Sequence, residues 1–455
     1  MELGISLILV VVLLLIIRRS WDGTPVLGEL RDVPLDPERL RHHAGEIAKS
    51  HKTASQLKTG RVLLKRLEAN YSRLSSIYRY LNEKAKDSEQ LSPASEWILD
   101  NYYIIEEQAK DARQILKQER FAKLRVLDEG YLKGYPRIYA IALELISHTD
   151  GRLEQAELID FLKSYQEHRV LSMAEIWSLP LMLRVALLEY LRHLADKVYQ
   201  TEQQGDRALE LARLEPEHGL AEVQQMFDRQ SGRSYSSLVV QLLKELRKKE
   251  QDELLRGWLE QYWLDFGTDL DSIIAQEHFE QASRKVAVGH AIMSLKTISL
   301  LDWEEVFENL SRVELILAQD PDGTYLNMDK ESKNYYRRQV GLLARRYRVP
   351  EPRVARIAVG LAKQVDDREL PSSHVGYYLI GKGREKLLRQ LNGSAQVTRM
   401  HNYPPARYYS AVAGLMAAVV VPLAWYGYRF SQGSLVVAVS IVLLSLLPVS
   451  EIAVF

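Results

Sequence analysis

The chain has 455 residues, a length that accommodates two or three domains. Lysine plus arginine and aspartate plus glutamate number 60 each, so no net charge draws the protein toward nucleic acid or another strongly charged partner. The absence of cysteine excludes disulfides, zinc sites built from thiolates and cysteine nucleophiles, and it fits a reducing compartment.

Three apolar segments predict membrane spans. They cover residues 3–17, about 410–428, and 435–447 or beyond. The first is about 22 Å long as a helix, short of a bilayer core of about 30 Å, but Arg18 and Arg19 can extend it by snorkelling. Glu2 and the lack of a small-residue cleavage site disfavour a signal peptide. Because basic residues collect on the cytoplasmic side, we expect an outside N-terminus, a cytoplasmic body and a C-terminal hairpin.

Composition divides the chain into six consecutive parts. They are a transmembrane anchor at 1–19, a linker at 20–37, a first helical lobe at 38–200, a polar connector at 201–217, a second helical lobe at 218–408 and two transmembrane helices at 409–455. Helical periodicity recurs through both lobes, and convincing alternating strands are absent. The predicted fold is therefore all-α, with a multi-helix soluble body between an N-terminal transmembrane helix and a C-terminal transmembrane hairpin.

The first lobe reads as a series of helices joined by turns. A long amphipathic helix carries Leu63, Leu67, Leu74, Ile77 and Leu81. The segment GYLKGYP at 130–136 predicts a turn, and a mostly apolar helix follows at 138–148. Ser172 and Glu175 form a capping box that opens the longest apolar helix, which Pro180 is expected to bend.

An unusual polar pattern marks SPASEWILDNYYIIEEQ at 92–108, which predicts one helix that can continue to 115. Ser92 suits the N-cap and Pro93 the first helical position. Polar residues occupy more faces of this helix than solvation needs, so we expect them to be hydrogen-bonded to neighbouring elements. Together with the turn before 138, they form the predicted docking or structural polar cluster, which consists of Trp97, Asp100, Asn101, Glu106, Glu107, Gln108, Tyr135 and Arg137.

The second lobe is predicted to be helical as well. Its helices are expected at 238–246, 254–266, 273–295, 302–317, 329–347 and 352–365. Asp302 and Glu305 form another capping pair.

Two segments of the second lobe resemble nucleotide sites only in part. GYYLIGKG at 376–383 has the glycine and lysine spacing of a phosphate loop, but Gly383 replaces the hydroxyl residue that would bind magnesium, and no strand precedes it. Asp366 and Asp367 could hold a divalent metal, yet no strand presents them. The Q-x-x-R-W signature of membrane-embedded sugar polymerases is also missing.

The remaining candidate ligands favour structural roles. Asp320 and Asp322 resemble the start of a calcium loop, but the early glycine at 323 favours a turn. His42, His43 and Glu46 lie in a polar helix and are expected to form a solvated face. The sequence therefore predicts no catalytic, cofactor-binding or metal-binding residue in this chain.

Several long phrases, taken in order, resemble one protein family. They are SPASEWILDNYYIIEEQ at 92–108, GYPRIYAIALELISHTDGR at 134–152, FLKSYQEHRVLSMAEIWSLPLMLRVALLEYLRHLA at 161–195, DPDGTYLNMDKESKNYYRRQV at 320–340 and HVGYYLIGKGREKL at 374–387. These phrases resemble the N-terminal region of bacterial cyclic β-1,2-glucan synthases. The resemblance covers nearly the whole chain after the linker.

The resemblance implies a large, multi-pass enzyme of the bacterial inner membrane that uses UDP-glucose and a divalent metal to build a β-1,2-linked glucan. Its glycosyltransferase and phosphorylase-like domains have no counterpart before Phe455, so we expect an N-terminal portion of such a synthase. The expected role is to scaffold or regulate a glycosyltransferase domain, present in cis or as a separate chain, which the polar cluster would dock. The alternative is an independent membrane-anchored helical adaptor that binds a protein partner or a glucan.

Overall fold

The structure, a computed structural model, describes most of the body between the predicted spans. The described residues are 34–55, 59–86, 91–117, 124–214, 216–229, 235–365 and 370–392, with Pro422, Trp425, Tyr426 and Tyr428. The predicted spans at 3–17 and 435–447 lie outside these residues, as does nearly all of 410–428. Within the described part, no helix is both long and apolar enough to cross a bilayer.

Helices dominate the described chain, as the sequence predicts. The first half contains α1 (Pro37–Ser50), α2 (Thr59–Lys86), α3 (Pro93–Asp100), α4 (Tyr102–Leu116), α5 (Arg137–His148), α6 (Gln155–His168), α7 (Met173–Trp177) and α8 (Leu179–Leu211). The second half contains α9 (Pro216–Arg229), α10 (Ser236–Arg247), α11 (Glu253–Asp265), α12 (Leu270–Thr297), α13 (Trp303–Leu310), α14 (Arg312–Leu317), α15 (Lys330–Tyr347), α16 (Glu351–Lys363), α17 (Val375–Leu379) and α18 (Arg384–Asn392). The all-α prediction is confirmed, apart from the short strands β1 (Thr53–Ser55) and β2 (Arg125–Leu127), which pair antiparallel.

Most helices share one apolar core, here called the main core, formed by residues between 40 and 198 and between 287 and 391. Its centre is α5, whose sequence RIYAIALELISH is apolar around most of the helix and is buried at nearly every position. The N-terminal half of α8 packs beside α5 and is equally buried. The predicted amphipathic helix α2 contributes all five of its apolar stripe residues to this core.

A second, smaller core, here called the satellite core, contains only residues between 208 and 273. It joins the C-terminal end of α8, the helices α9, α10 and α11, and the first turns of α12. The long helices α8 and α12 therefore pass from one core into the other. The predicted connector at 201–217 overlaps the end of α8. The division of the chain into two helical lobes stays a prediction.

Three predicted helices are each divided in two. Asn101 interrupts the helix expected at 92–115, because its side-chain amide donates to the Trp97 carbonyl at 3.0 Å and competes with the backbone ladder. Pro180 does not bend a continuous helix but lies in the first turn of α8, where its missing N–H would have no partner. Ser311 has an extended backbone and caps α14, so the helix expected at 302–317 is also divided.

Candidate functional site

The residues predicted to form the polar cluster divide into an exposed group and a buried group. Asp100, Glu106 and Glu107 are exposed on α3 and α4, beside Tyr103, whose surface is 59% exposed. Here these four residues are called the α3–α4 face. The Tyr71 hydroxyl donates to Glu106 at 3.4 Å, a long contact that leaves this carboxylate largely solvated. The expectation that these carboxylates are bound by neighbouring elements is wrong for Asp100 and Glu107, which are open to solvent.

The buried group has structural partners. Trp97 packs partly buried against the main core, and Asn101 bonds the carbonyl of the same tryptophan. Gln108 is buried and accepts a hydrogen bond of 2.6 Å from Nε of Arg184. Burial lowers the pKa of Arg184, and the Gln108 oxygen gives this guanidinium a partner inside the core.

Tyr135, near the end of the 130–136 turn, and Arg137, directly after it, are both buried. Arg137 forms two parallel bonds to Glu175, at 2.9 and 2.7 Å, and both side chains are at most 4% exposed. Glu175 also completes the predicted capping box with Ser172, so one carboxylate closes a helix start and neutralises a buried cation. The ring of Tyr135 lies 4.8 Å below the guanidinium carbon of Arg66.

A second buried ion pair, between Arg66 of α2 and Glu189 of α8, was not predicted from the sequence. The guanidinium donates to both carboxylate oxygens at 2.5 and 2.6 Å, and Asn70 donates at 3.1 Å. The hydroxyl of Tyr139 adds a very short bond to the same carboxylate. A glutamate inside the apolar run LMLRVALLEYL was the available signal, because a buried acid requires a partner.

Asp320, His374 and Tyr336 form a chain of hydrogen bonds that superficially resembles a catalytic relay. Nδ1 of His374 lies 2.5 Å from Asp320, and its Nε2 lies 3.0 Å from the Tyr336 hydroxyl. Burial and the charges of Asp320 and Asp322 raise the pKa of Tyr336, which opposes formation of a phenolate nucleophile. The contacts fix the 320–325 turn against the start of α17.

Asp320, Asp322 and His374 also have ligand atoms close enough together to surround a cation. Both oxygens of Asp320 are already hydrogen-bonded, since the backbone N–H groups of Val375 and Tyr325 donate to them at 2.9 and 3.3 Å. Asp322 accepts from the Thr324 backbone at 2.8 Å, as expected of a turn. The geometry thus favours the turn that the sequence predicts over a calcium loop.

The first half of the 376–383 segment is helical and the second half is a tight turn, so the segment does not form an open loop around a phosphate. It begins within α17, and a Cβ at Gly376 would collide with the Tyr336 hydroxyl and the His374 imidazole. A Cβ at Gly383 would meet the ring of Tyr377 in the same way. Close packing against tyrosines therefore explains these glycines. The other nucleotide-site candidate, Asp366 with Asp367, lies outside the described residues.

His43 departs from the predicted solvated face and contacts α5. Its Nε2 lies 2.9 Å from Glu144, and Nε2 of His148 lies 3.5 Å from the same carboxylate. Burial raises the pKa of Glu144, but its bonds with both histidines outweigh this effect and lower it to about 2. The three ligand atoms lie near one another, and each already has a partner within the group.

The comparisons with known proteins agree with the resemblance predicted from the sequence. No protein-family model matches this chain. Among curated proteins, it is similar to the cyclic beta-(1,2)-glucan synthase NdvB of Rhizobium meliloti (strain 1021), with 26% identity over 338 residues. The match covers 72% of this chain but only 12% of NdvB, so the resemblance is to one part of a much longer protein.

Proposed function

We propose that this chain is a membrane-anchored helical module of a cyclic β-1,2-glucan synthase, and that it positions the glycosyltransferase domain without catalysing glucan synthesis itself. The similarity to NdvB over 72% of the chain carries this proposal. Because the matched region corresponds to 12% of NdvB, most of the relative's length is available for the catalytic steps. UDP-glucose and its divalent metal would bind there.

A supporting role is favoured by the way the described polar clusters are built. The buried carboxylates of Glu175 and Glu189 are both paired with arginines, and such pairs fix helix positions. The raised pKa of Tyr336 argues against nucleophilic catalysis at the Asp320–His374 chain. These groups serve the fold of the module.

The α3–α4 face is the proposed docking surface for the glycosyltransferase domain, whether this domain lies in cis or on a separate chain. Asp100, Glu106 and Glu107 give it negative charge, and Tyr103 adds a large exposed ring. An aromatic side chain within a polar, solvated rim is typical of protein interfaces. Its helices are held from behind by the buried Gln108–Arg184 contact.

Membrane attachment is the second half of the proposal. The apolar segments at 3–17, 410–428 and 435–447 would place the chain in the bacterial inner membrane with a cytoplasmic body. Retention in the membrane pellet after an alkaline carbonate wash would support this, and release into the supernatant would contradict it.

The central experiment measures glucan synthesis from UDP-glucose by two samples. One is the purified full chain alone, and the other is the chain co-expressed with a form of NdvB from which the matched region is deleted. We expect no glucan from the chain alone, and co-purification with restored glucan synthesis from the pair.

The double variant Tyr103→Ala/Glu107→Lys should weaken co-purification, whereas Glu253→Lys, at an exposed glutamate on α11, should not. Glucan made by the chain alone would refute the supporting role, and association unaffected by the α3–α4 variant would refute the proposed surface.

A further inference from the structure

A groove of about 1070 Å³ lies where the α6–α7 connection meets α14, the end of α15 and the start of α16. Five arginines line it, here called the groove arginines, and they are Arg125, Arg312, Arg345, Arg348 and Arg356. All five are exposed, and the lining contains one acidic residue, Glu351. In a chain with equal numbers of basic and acidic residues, this local excess of positive charge is not a consequence of composition.

The single glutamate is already engaged. Its Oε2 accepts the backbone N–H of Met173 at 2.8 Å, and the side chain is partly buried. Burial raises the pKa of Glu351 despite that bond and the charges of Arg345 and Arg125. One carboxylate so placed cannot balance five guanidinium groups.

The groove arginines differ in their partners from the arginines inside the main core. Arg337, for example, contacts the carboxylates of Glu304 and Glu314 at 2.6 and 2.8 Å. By contrast, Arg125, Arg312, Arg345 and Arg356 form no ion pair with any carboxylate of the described residues. Arg312 and Arg356 donate only to backbone carbonyls, at 3.4 and 3.3 Å. Their remaining N–H donors face the solvent and are available to a ligand.

A sharp backbone turn places three of these arginines, Arg345, Arg348 and Arg356, at the groove. Arg348 directly follows α15 in the left-handed conformation, at φ +53°, which is unfavourable for a residue with a side chain. The next amide, of Val349, donates to the Ala344 carbonyl at 3.0 Å, and Pro350 then leads directly into α16. This sharp turn brings the arginines at the end of α15 and the one on α16 to the same groove.

The chemistry of the lining identifies the class of ligand. A guanidinium presents parallel N–H donors that match the oxygens of a phosphate, and several such groups together favour a ligand with more than one negative charge. The floor is apolar, with Leu171, Ile316 and Val349, so an organic body can lie beneath the charged rim. The volume is slightly above the range usual for small-molecule sites, so a ligand of substantial size can fit.

We propose that the groove arginines bind an anionic ligand whose charge comes from phosphate, supplied either by a soluble compound with linked phosphate groups or by the headgroups of an anionic phospholipid. This site is separate from the α3–α4 face and does not depend on the proposed role in glucan synthesis.

The test uses the purified full chain in a non-ionic detergent, titrated calorimetrically with pyrophosphate and, separately, with short-chain phosphatidylglycerol or phosphatidylcholine. The groove variant is Arg345→Gln/Arg356→Gln. Its matched control is Arg346→Gln/Arg353→Gln, which removes two exposed arginines from the same two helices without altering the groove lining. Both variants change the net charge equally, so they separate a local site from a general charge effect. All four side chains are exposed, and equal thermal midpoints would verify folding.

We expect the groove variant to weaken binding about 100-fold, roughly tenfold for each lost guanidinium contact, and the control to change it less than about threefold. Pyrophosphate binding that is weakened by the groove variant but not by the control identifies a soluble ligand. Binding of phosphatidylglycerol without pyrophosphate binding, weakened by the same variant, identifies a phospholipid headgroup. The proposal is overturned if neither probe binds, or if the groove variant and the control lose affinity equally.

Discussion

The main core and the satellite core join their helices by different means. The main core contains buried ion pairs, among them Arg66–Glu189, Arg137–Glu175 and Arg337–Glu314. The satellite core is built from leucines and an aromatic group in which Phe227 contacts Tyr235 and Tyr262 at ring distances of 5.6 and 4.9 Å. Apolar packing thus holds both regions together, and the main core adds directional contacts between buried charges.

The two regions also differ in how far apart in the sequence their contacts reach. Arg66 and Glu189 are 123 residues apart, whereas the whole satellite core lies between residues 208 and 273. A compact local region can open without disrupting long-range contacts, so it is expected to exchange its amide protons independently. A buried pair between distant helices instead couples those helices, because separating them leaves both charges unpaired.

The largest expected effect is global and comes from Glu189→Ala in the main core. Removing this carboxylate leaves Arg66 as an uncompensated buried charge and deprives Asn70 and Tyr139 of their acceptor. We expect a loss of about 3–5 kcal/mol in the free energy of unfolding, measured by urea titration followed by circular dichroism.

Glu68→Ala is the matched control for this prediction. Arg113 binds Glu68 with the same two-bond geometry, at 2.6 and 2.8 Å, but the pair lies on the surface with the two side chains 29% and 46% exposed. The loss should be at most about 1 kcal/mol. If the two variants are destabilised equally, burial of the ion pair does not distinguish the main core.

A smaller and local effect is expected from Leu259→Ala in the satellite core. Leu259 is fully buried, and truncation removes its packing and leaves a cavity, at a cost of about 3 kcal/mol. Hydrogen exchange should accelerate in α9, α10 and α11 while α5 stays protected. Leu254→Ala, at a neighbouring leucine that is 55% exposed, is the control and should change little. Faster exchange in α5 as well would show that the two cores open together.

Features that depend on local contacts could be predicted from the sequence, whereas features that depend on long-range contacts could not. The capping box of Ser172 and Glu175 and the cap of Asp302 are local signals, and the structure confirms both. The break at Asn101 was missed because its side chain competes with the helix ladder, which apolar periodicity does not record.

Within the polar cluster, the sequence could identify an unusual segment but not the side of it that is buried. Gln108 lies inside because Arg184, on a helix that is distant in sequence, needs an acceptor there, whereas Glu107 next to it faces solvent. The groove arginines were missed for the same reason, since β2, α14, α15 and α16 meet only in the folded chain. Spacing along one helix does not reveal such tertiary partners.

The smallest of the three effects is a pH dependence of the free energy of unfolding. It arises in the main core, where His43 of α1 contacts Glu144 of α5. The bonds to His43 and His148 hold the folded pKa of Glu144 at about 2, below its ordinary value of 4.5. The stabilisation is therefore fully present above pH 4.5 and is lost as the pH falls toward 2. The difference between pKa values of 4.5 and about 2 corresponds to about 3 kcal/mol. Solvent screening of the partly exposed Glu144 side chain reduces this to about 2 kcal/mol, read as a fall in unfolding free energy between about pH 5 and pH 2.

The variant Glu144→Gln should be less stable than the natural chain at pH 6 and should show a shallower decline in acid, because its amide does not titrate in this range. Under the same acid titration, exchange in α1 and α5 should accelerate before exchange in the aromatic group around Phe227, which is held by contacts between rings. An identical acid slope in the variant and the natural chain would show that Glu144 does not link α1 to the main core. Earlier loss of protection in the satellite core would reverse the order inferred from the two kinds of packing.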